Sequence, residues 1–189
     1  EVDNLWNDLF SDEEFFLGSI VLNVGSDSER LGRTEIIDGQ QRMLTMTILH
    51  AAIRDTAHEF GLEEAALLVY NSEIYRSGAF GGGHYIILPA DSLKDYFRRS
   101  VQQYPDPDFN SPRSKEEKLV RLNYEFFKKK LKSRMERFSS PDEIQSEFAK
   151  IATKVNNTMY IRIEVTDSYD AYRVFETMNA RGVDLTVAD

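Results

Sequence analysis

The stretch EIIDGQQRMLTM, Glu35 to Met46, changes the repeat of the chain within a few residues. Ile36 and Ile37 end a short apolar run suited to a strand, and Asp38-Gly39 breaks it. From Gln40 the apolar residues fall three and four apart, at Met43, Met46, Leu49, Ile53, Ala57 and Phe60, which is the stripe of an amphipathic helix. Gly61 supplies its stop. A strand that hands over to a long helix through so short a hinge puts a sheet and a helix in one α+β unit. Gln40, Gln41 and Arg42 fall in the first helical turn, more polarity than a turn requires.

The rest of the chain can be read around that corner. Leu5, Trp6, Leu9 and Phe10 share one face of an opening helix, EEFFLGSIVLNV reads as a buried strand, and GSDSERLG reads as a loop. Residues 62–83 fit a helix followed by a strand and a glycine-rich loop, and HYIILPADSL fits a strand that leads through Pro89 and Asp91 into another helix. QQYPDPDFNSPRS gathers three of the five prolines and is the best candidate for a linker or insertion loop. Beyond it an amphipathic helix runs through Leu119, Leu122, Phe126, Leu131, Met135 and Phe138. A further helix opens with Ser140 as N-cap and Pro141 at its first position. Met159, Ile161, Ile163 and Val165 alternate as in a half-buried strand, and a last helix stacks Tyr172, Phe175 and Met178.

Composition narrows the chemistry. The 189 residues contain no cysteine, which removes disulfides, thiolate catalysis and cysteine-based zinc sites and fits a cytoplasmic setting. His50, His58 and His84 are too scattered to share a metal. No apolar run reaches membrane-spanning length, so no membrane partner is expected. A formal charge of −9 repels phosphate backbones at long range and disfavours nonspecific DNA coating. The chain starts without Met and stops at Asp189 inside what reads as a new helix, so it reads as a piece of a longer protein.

The polar corner suits phosphate chemistry. Backbone N–H groups in a first helical turn lack partners and lie at the positive end of the helix dipole. Gly39 would let a phosphate approach the backbone, Arg42 could fork onto phosphate oxygens, and the amides of Gln40 and Gln41 could hold an oxygen or an attacking water. Asp38 could hold a magnesium ion through water, or orient or deprotonate a nucleophile. A plainer reading also fits: Asp38 caps the helix, Gly39 makes the turn, and Arg42 pairs with a nearby carboxylate. No Walker-type loop or nucleophile elbow competes, and GAFGGG is not followed by a helix.

Three blocks, FFLGSIVL, EIIDGQQRMLTMTILHAAIRD and VFETMNARGVDLTVAD, resemble the amino-terminal domain of the GmrSD-type modification-dependent restriction enzymes, a ParB/sulfiredoxin-like module. The family's Asp-Gly-Gln-Gln-Arg hallmark is matched at Asp38 to Arg42, and its Asn-x-x-Gly-x-x-Leu-Thr block at Asn179, Gly182, Leu185 and Thr186. Two departures stand out. Leu44 replaces a threonine of the usual Leu-Thr-Thr-Leu continuation, and the family's upstream Gln-Arg-x-Tyr-x-Trp segment is absent.

The resemblance implies a small mixed sheet with packed helices and an inserted helical segment. Residues 1–90 would form the α/β core, 91–157 a mainly helical insertion, and 158–189 a returning strand and helix. It implies an NTP-binding and hydrolysing module for GTP or ATP with Mg2+, in which Asp38, Gln40, Gln41 and Arg42 serve catalysis. Gly39, Gln40, Arg42 and Thr45 would hold the nucleotide, joined by Asn179 and Arg181 if the last strand and helix pack near Asp38. The implied partners are an HNH-type nuclease domain or subunit and, through the whole protein, modified DNA, with an oligomer left open. Two other readings use the same corner without turnover: a pure ParB-like module that senses nucleotide or a modified DNA base, and a scaffold in which the motif is structural.

Other candidates have plain readings. Asn179 and Gly182 make a helix C-cap, and Glu176 fits a solvated face. The helix from Lys115 to Arg137 is locally basic and could track DNA or an acidic partner, although a solvated face is the simpler account. Trp6, Tyr75 and Tyr85 read as core or interface aromatics.

Overall fold

The computed structural model describes residues 2–11, 14–25, 33–78 and 82–166, together with Arg173 and Glu176. The described residues have an α+β fold. In chain order they form α1 (Val2–Leu9), β1 (Phe16–Asn23), β2 (Glu35–Asp38), α2 (Gln40–Glu59) and α3 (Glu63–Val69), which continues as a π-helical turn over Tyr70–Ile74. Next come β3 (Tyr75–Ser77), β4 (Gly83–Tyr85) and α4 (Asp91–Phe97), extended by a π-helical turn over Arg98–Gln102. α5 (Lys115–Met135), α6 (Pro141–Asn156) and β5 (Met159–Val165) complete the set. The closing helix expected around Tyr172, Phe175 and Met178, and most of the loop after Gly25, lie outside the described residues.

The chain separates into two compact units, one of Phe16–Arg42 with Met159–Asp189, the other of Glu1–Phe15 with Met43–Thr158. The helical unit thus takes in Glu1–Phe15 and Met43–Thr158, a wider span than the helical insertion of residues 91–157, and one boundary between the units falls inside α2. The reason is local: Gln40 to Arg42 are only the first turn of a 20-residue helix whose later turns belong to the helical unit.

In the sheet unit β1 is central, antiparallel to β2 and parallel to β5. Val21 and Val165 are buried, with Ile37 and Ile163 packed against them. The alternation of β5 was expected to bury Met159 and Ile161 as well, yet both are exposed. β2 pairs β1 only over Val21 to Asn23, opposite Ile163 to Val165. Among the described residues the sheet is three strands wide only there, and Met159 and Ile161 lie before that stretch.

In the helical unit α2 is buried all round from Met46 to Ala57 apart from the half-buried His50, not along one stripe as its spacing suggested. Small residues make this feasible: Ala51, Ala52 and Ala57 let neighbours approach closely, and Thr47 and Thr56 donate their hydroxyls to carbonyls of their own helix. Arg54, fully buried, forks onto the neighbouring Asp55 at 2.7 and 2.9 Å and donates to the Val101 carbonyl at 3.0 Å. The Tyr124 hydroxyl donates to the same carboxylate at 2.8 Å. Burial, with the Asp55 charge beside it, pushes the Tyr124 phenol well above its ordinary range, so it stays a donor.

The face that α5 turns inward differs in part from the one its apolar spacing suggests. The helix presents Val120, Tyr124, Phe127, Leu131 and Met135 to the core, while Leu119 and Leu122 are 51% and 60% exposed. The inward face also carries the tyrosine that reaches Asp55, a partner that apolar spacing alone does not reveal. α5 and α6 both open with capping boxes, from Ser114 with Glu117 and from Ser140 with Glu143, and Pro141 stands in the first turn of α6 as expected.

The region 62–83 resolves into α3, a π-helical turn and a hairpin in which Tyr75 faces Tyr85. β4 stops at Tyr85 instead of continuing to Leu88. Its partner β3 is only three residues long because helix precedes it, and a single bond from Ile86 N–H to the Ile74 carbonyl follows. The proline-rich segment is an insertion loop within the helical unit, not a linker. Arg99 binds Asp108 at 2.8 Å and the Asn110 carbonyl at 2.8 Å, and the Phe109 ring stacks on Tyr124 at 4.0 Å.

Phe127→Ala is expected to cost about 3–5 kcal/mol in urea unfolding, because it empties a fully buried site. Leu122→Ala should change stability by less than about 0.5 kcal/mol, since its side chain is largely in water. The opposite order would mean that α5 packs on the face suggested by its leucines. Glu59 supplies a pH test: partial burial raises its carboxyl, but Lys128 at 2.5 Å and Lys132 at 2.6 Å outweigh this and hold it below the ordinary glutamate range. A pKa depressed on folding gives stability that is present at neutral pH and lost as pH falls through the folded value. Glu59→Gln should therefore narrow the drop in melting temperature between about pH 6 and about pH 3 relative to the parent.

Candidate functional site

β2 ends at Asp38 and α2 begins at Gln40, so Gly39 alone makes the hinge. Its φ of +92° is one that residues with a Cβ rarely adopt. A Cβ there would also lie 3.2 Å from Ile20 Cγ1 and 3.3 Å from the Ser19 carbonyl oxygen. Conformation and space both require glycine, and the bare face of Gly39 rests on the backbone of β1.

With the hinge fixed, the first turn of α2 has a set direction. Gln40 folds back, its Nε2 donating to the Ile36 carbonyl at 2.6 Å, which ties the turn to β2. Arg42 reaches across to β1, and its Nη1 donates to the Ser19 carbonyl at 2.8 Å. The same Nη1 lies 3.5 Å from Asp38 Oδ2. Side-chain exposures of 43% for Arg42 and 27% for Asp38 keep that pair partly in water, where it contributes roughly 0–1 kcal/mol. The stronger tether of Arg42 is a neutral carbonyl, so its charge is not cancelled. Asp38 precedes the residue at the N-cap position of α2, which is Gly39.

Two residues in this arrangement were not among the sequence candidates. Ser19 supplies the carbonyl that seats Arg42, and Gly18 lies under the guanidinium: a Cβ built at Gly18 would be 3.5 Å from Arg42 Nε and 3.6 Å from Cζ. A glycine inside an apolar strand signals a bulge or a close approach of another group. That signal is visible in FFLGSIVL, but a backbone acceptor such as Ser19 leaves no trace in side-chain identity.

Asp38, Gly39, Gln40, Gln41 and Arg42 are brought together by the turn itself, with Gln40, Gln41 and Arg42 exposed. Thr45 lies one turn further along α2, half-buried, in the part assigned to the helical unit. Asn179 and Arg181, and the rest of their block, lie outside the described residues. Among the described residues no group of three or more His, Asp or Glu side chains is placed to hold a metal.

The other candidates find partners within the helical unit. Lys128 and Lys132 bind Glu59, Lys130 binds Asp3, Arg134 binds Glu147, and Arg121 binds Glu125, so much of the basic charge of α5 is neutralised by the fold itself. Trp6 packs on Phe10 and Phe127, Tyr75 stacks on Tyr70, and Tyr85 meets Tyr75 edge-on.

A small α+β domain with a polar, cation-bearing helix start at the end of a strand is the class that this geometry defines. The chain belongs to the family described as GmrSD restriction endonuclease, N-terminal domain, whose match covers residues 1–189. It is thus part of a restriction system, as the sequence resemblance implied. A search of curated proteins found no match. Among the described residues no helix is long and apolar enough to cross a membrane.

Gly39→Ala is expected to destabilise the chain by about 1–3 kcal/mol, through backbone strain and the contact with β1. Gln41→Ala, on the exposed side of the same turn, should change stability by less than about 0.5 kcal/mol. Equal effects in chemical denaturation would mean that the hinge is not held as described.

Proposed function

We propose that this chain is the nucleotide-binding and NTP-hydrolysing regulatory domain of a modification-dependent restriction system, with the triphosphate held at the turn from Gly39 to Arg42. The observation that carries this reading is the state of Arg42: a guanidinium at a helix start, 43% exposed, tethered through Nη1 to a neutral carbonyl. A charge seated in this way, beside N–H groups that lack helical partners, favours an anion. The exposed Gln41 can take a phosphate oxygen or a water, and Asp38 sits at the strand end where a carboxylate serves the metal of a nucleotide or orients a nucleophile. One carboxylate plus phosphate oxygens and waters is an ordinary donor set for Mg2+, so Asp38 fits that ion, which would neutralise phosphate charge when bound.

On this reading GTP or ATP binding regulates or drives a nuclease partner of the HNH type, in the cytoplasm, and that partner cuts modified DNA. The net charge of −9 and the internally paired α5 fit a regulatory part, with cleavage left to the partner. A sensing module without turnover is the second reading. It is favoured by one observation, that Asp38, the sole carboxylate of the turn, lies within ion-pair distance of Arg42.

Thermal shift with GTP, ATP and CTP, each with Mg2+, tests the proposal together with phosphate release. Saturation at a hundredfold Kd adds about 2.7 kcal/mol, equivalent to a rise of roughly 5–10 °C for a domain of this size. The expected result is such a rise with at least one triphosphate, its loss in Arg42→Ala, and release of phosphate by the parent. Binding without release would select the sensing module. No shift with any triphosphate would remove both nucleotide readings and leave a modified DNA base as what a sensing module would take.

A further inference from the structure

We propose that Gly18 is a positioning residue for Arg42: by taking a backbone conformation that residues with a Cβ rarely adopt, it creates the seat on which the guanidinium lies. The proposal rests on the reading of the corner as a triphosphate site and concerns how that site is kept competent.

Three observations converge on Gly18. Its φ is +107°, outside the range that residues with a Cβ readily adopt. The pairing of β1 with β5 shifts register between Phe16 and Ser19, so Gly18 lies in the irregular stretch of an otherwise regular ladder. The position of its missing Cβ is 3.5, 3.6 and 3.8 Å from Nε, Cζ and Cδ of Arg42, so the side chain of Arg42 runs across the strand directly above it. These are ordinary contact distances. A methyl group would find room, and the backbone angle is what excludes it.

The consequence passes through Ser19. Pairing between β1 and β2 begins only at Val21, so in this stretch the guanidinium of Arg42, not a β2 residue, meets the Ser19 carbonyl. Turning Gly18 into an ordinary extended conformation would redirect the carbonyl of the next residue and move the guanidinium off its anchor. Arg42 would then be left with Asp38, and a closer pair with that carboxylate would cancel the charge that a phosphate needs. Gly18 so keeps Arg42 on a neutral acceptor.

The test uses Gly18→Ala, Gly18→Asn, Arg42→Ala and the Gly18→Ala/Arg42→Ala double variant, with Kd measured for GTP and ATP in the presence of Mg2+. Gly18→Ala is expected to weaken binding about tenfold, and Gly18→Asn by a similar factor, because the left-handed region that asparagine tolerates lies near a φ of about +60°, well short of +107°. In the Arg42→Ala background Gly18→Ala should add less than about twofold, since a residue acting only through Arg42 has nothing left to act on. Equal weakening in both backgrounds, or unchanged affinity in Gly18→Ala while Arg42→Ala loses it, would overturn the proposal. The Arg42 Nε–H resonance in NMR gives a readout without nucleotide: a resolved signal in the parent that moves or broadens in Gly18→Ala supports the seat, and an unmoved signal overturns it. If no protein binds either nucleotide, the triphosphate reading fails and this resonance alone decides the role of Gly18.

Discussion

The contact between Gly39 and the backbone of β1 is the constraint on which the corner depends. A residue with a side chain there would meet Ile20 and the Ser19 carbonyl, and it could not adopt the φ that turns the chain from β2 into α2. Because the hinge is a single residue resting on a strand, the first helical turn has little freedom in direction. Gln40 then reaches back to β2 and Arg42 reaches over to β1, each through one short bond to a carbonyl. The polar residues that looked excessive for a turn divide accordingly. Gln40 fastens the turn, and Arg42 is held in place while keeping its charge.

The helical unit has its own organising interaction. Arg54 and Asp55 lie inside α2, a costly arrangement unless both charges are satisfied. The fork between them, the Val101 carbonyl and the Tyr124 hydroxyl supply those partners, and the guanidinium also lies 5.2 Å from the Tyr104 ring centre. Burial and the hydrogen bond to Glu63 push the Tyr104 phenol up to about 12, so it too remains a donor at neutral pH. The inward face of α5 thus joins one polar contact, Tyr124 to Asp55, to the apolar Val120, Phe127, Leu131 and Met135.

Local chemistry was the legible part of the sequence. The strand, the glycine hinge and the helix start at Gln40 follow from Ile36 to Arg42 alone, and the start of α6 follows from Ser140 and Pro141. Features that depend on distant partners were not legible. The spacing of Leu119, Leu122 and Phe126 gave no hint that Tyr124 must meet Asp55, 69 positions away. Ile86 and Ile87 look like strand residues, but only the length of β3 limits what they can pair with. The corner shows the same boundary: Asp38 to Arg42 announce themselves by type, whereas the seat of Arg42 is a carbonyl of Ser19, which any residue would possess.

The most direct measurement is an amide NMR titration of the chain with GTP and Mg2+, and with ATP and Mg2+. The account predicts saturable shifts concentrated on Gly39, Gln40, Gln41 and Arg42, with Ser19 following as its carbonyl bond to Arg42 responds. Saturable shifts confined to other parts of the chain, with the amides of residues 39–42 unmoved, would contradict it.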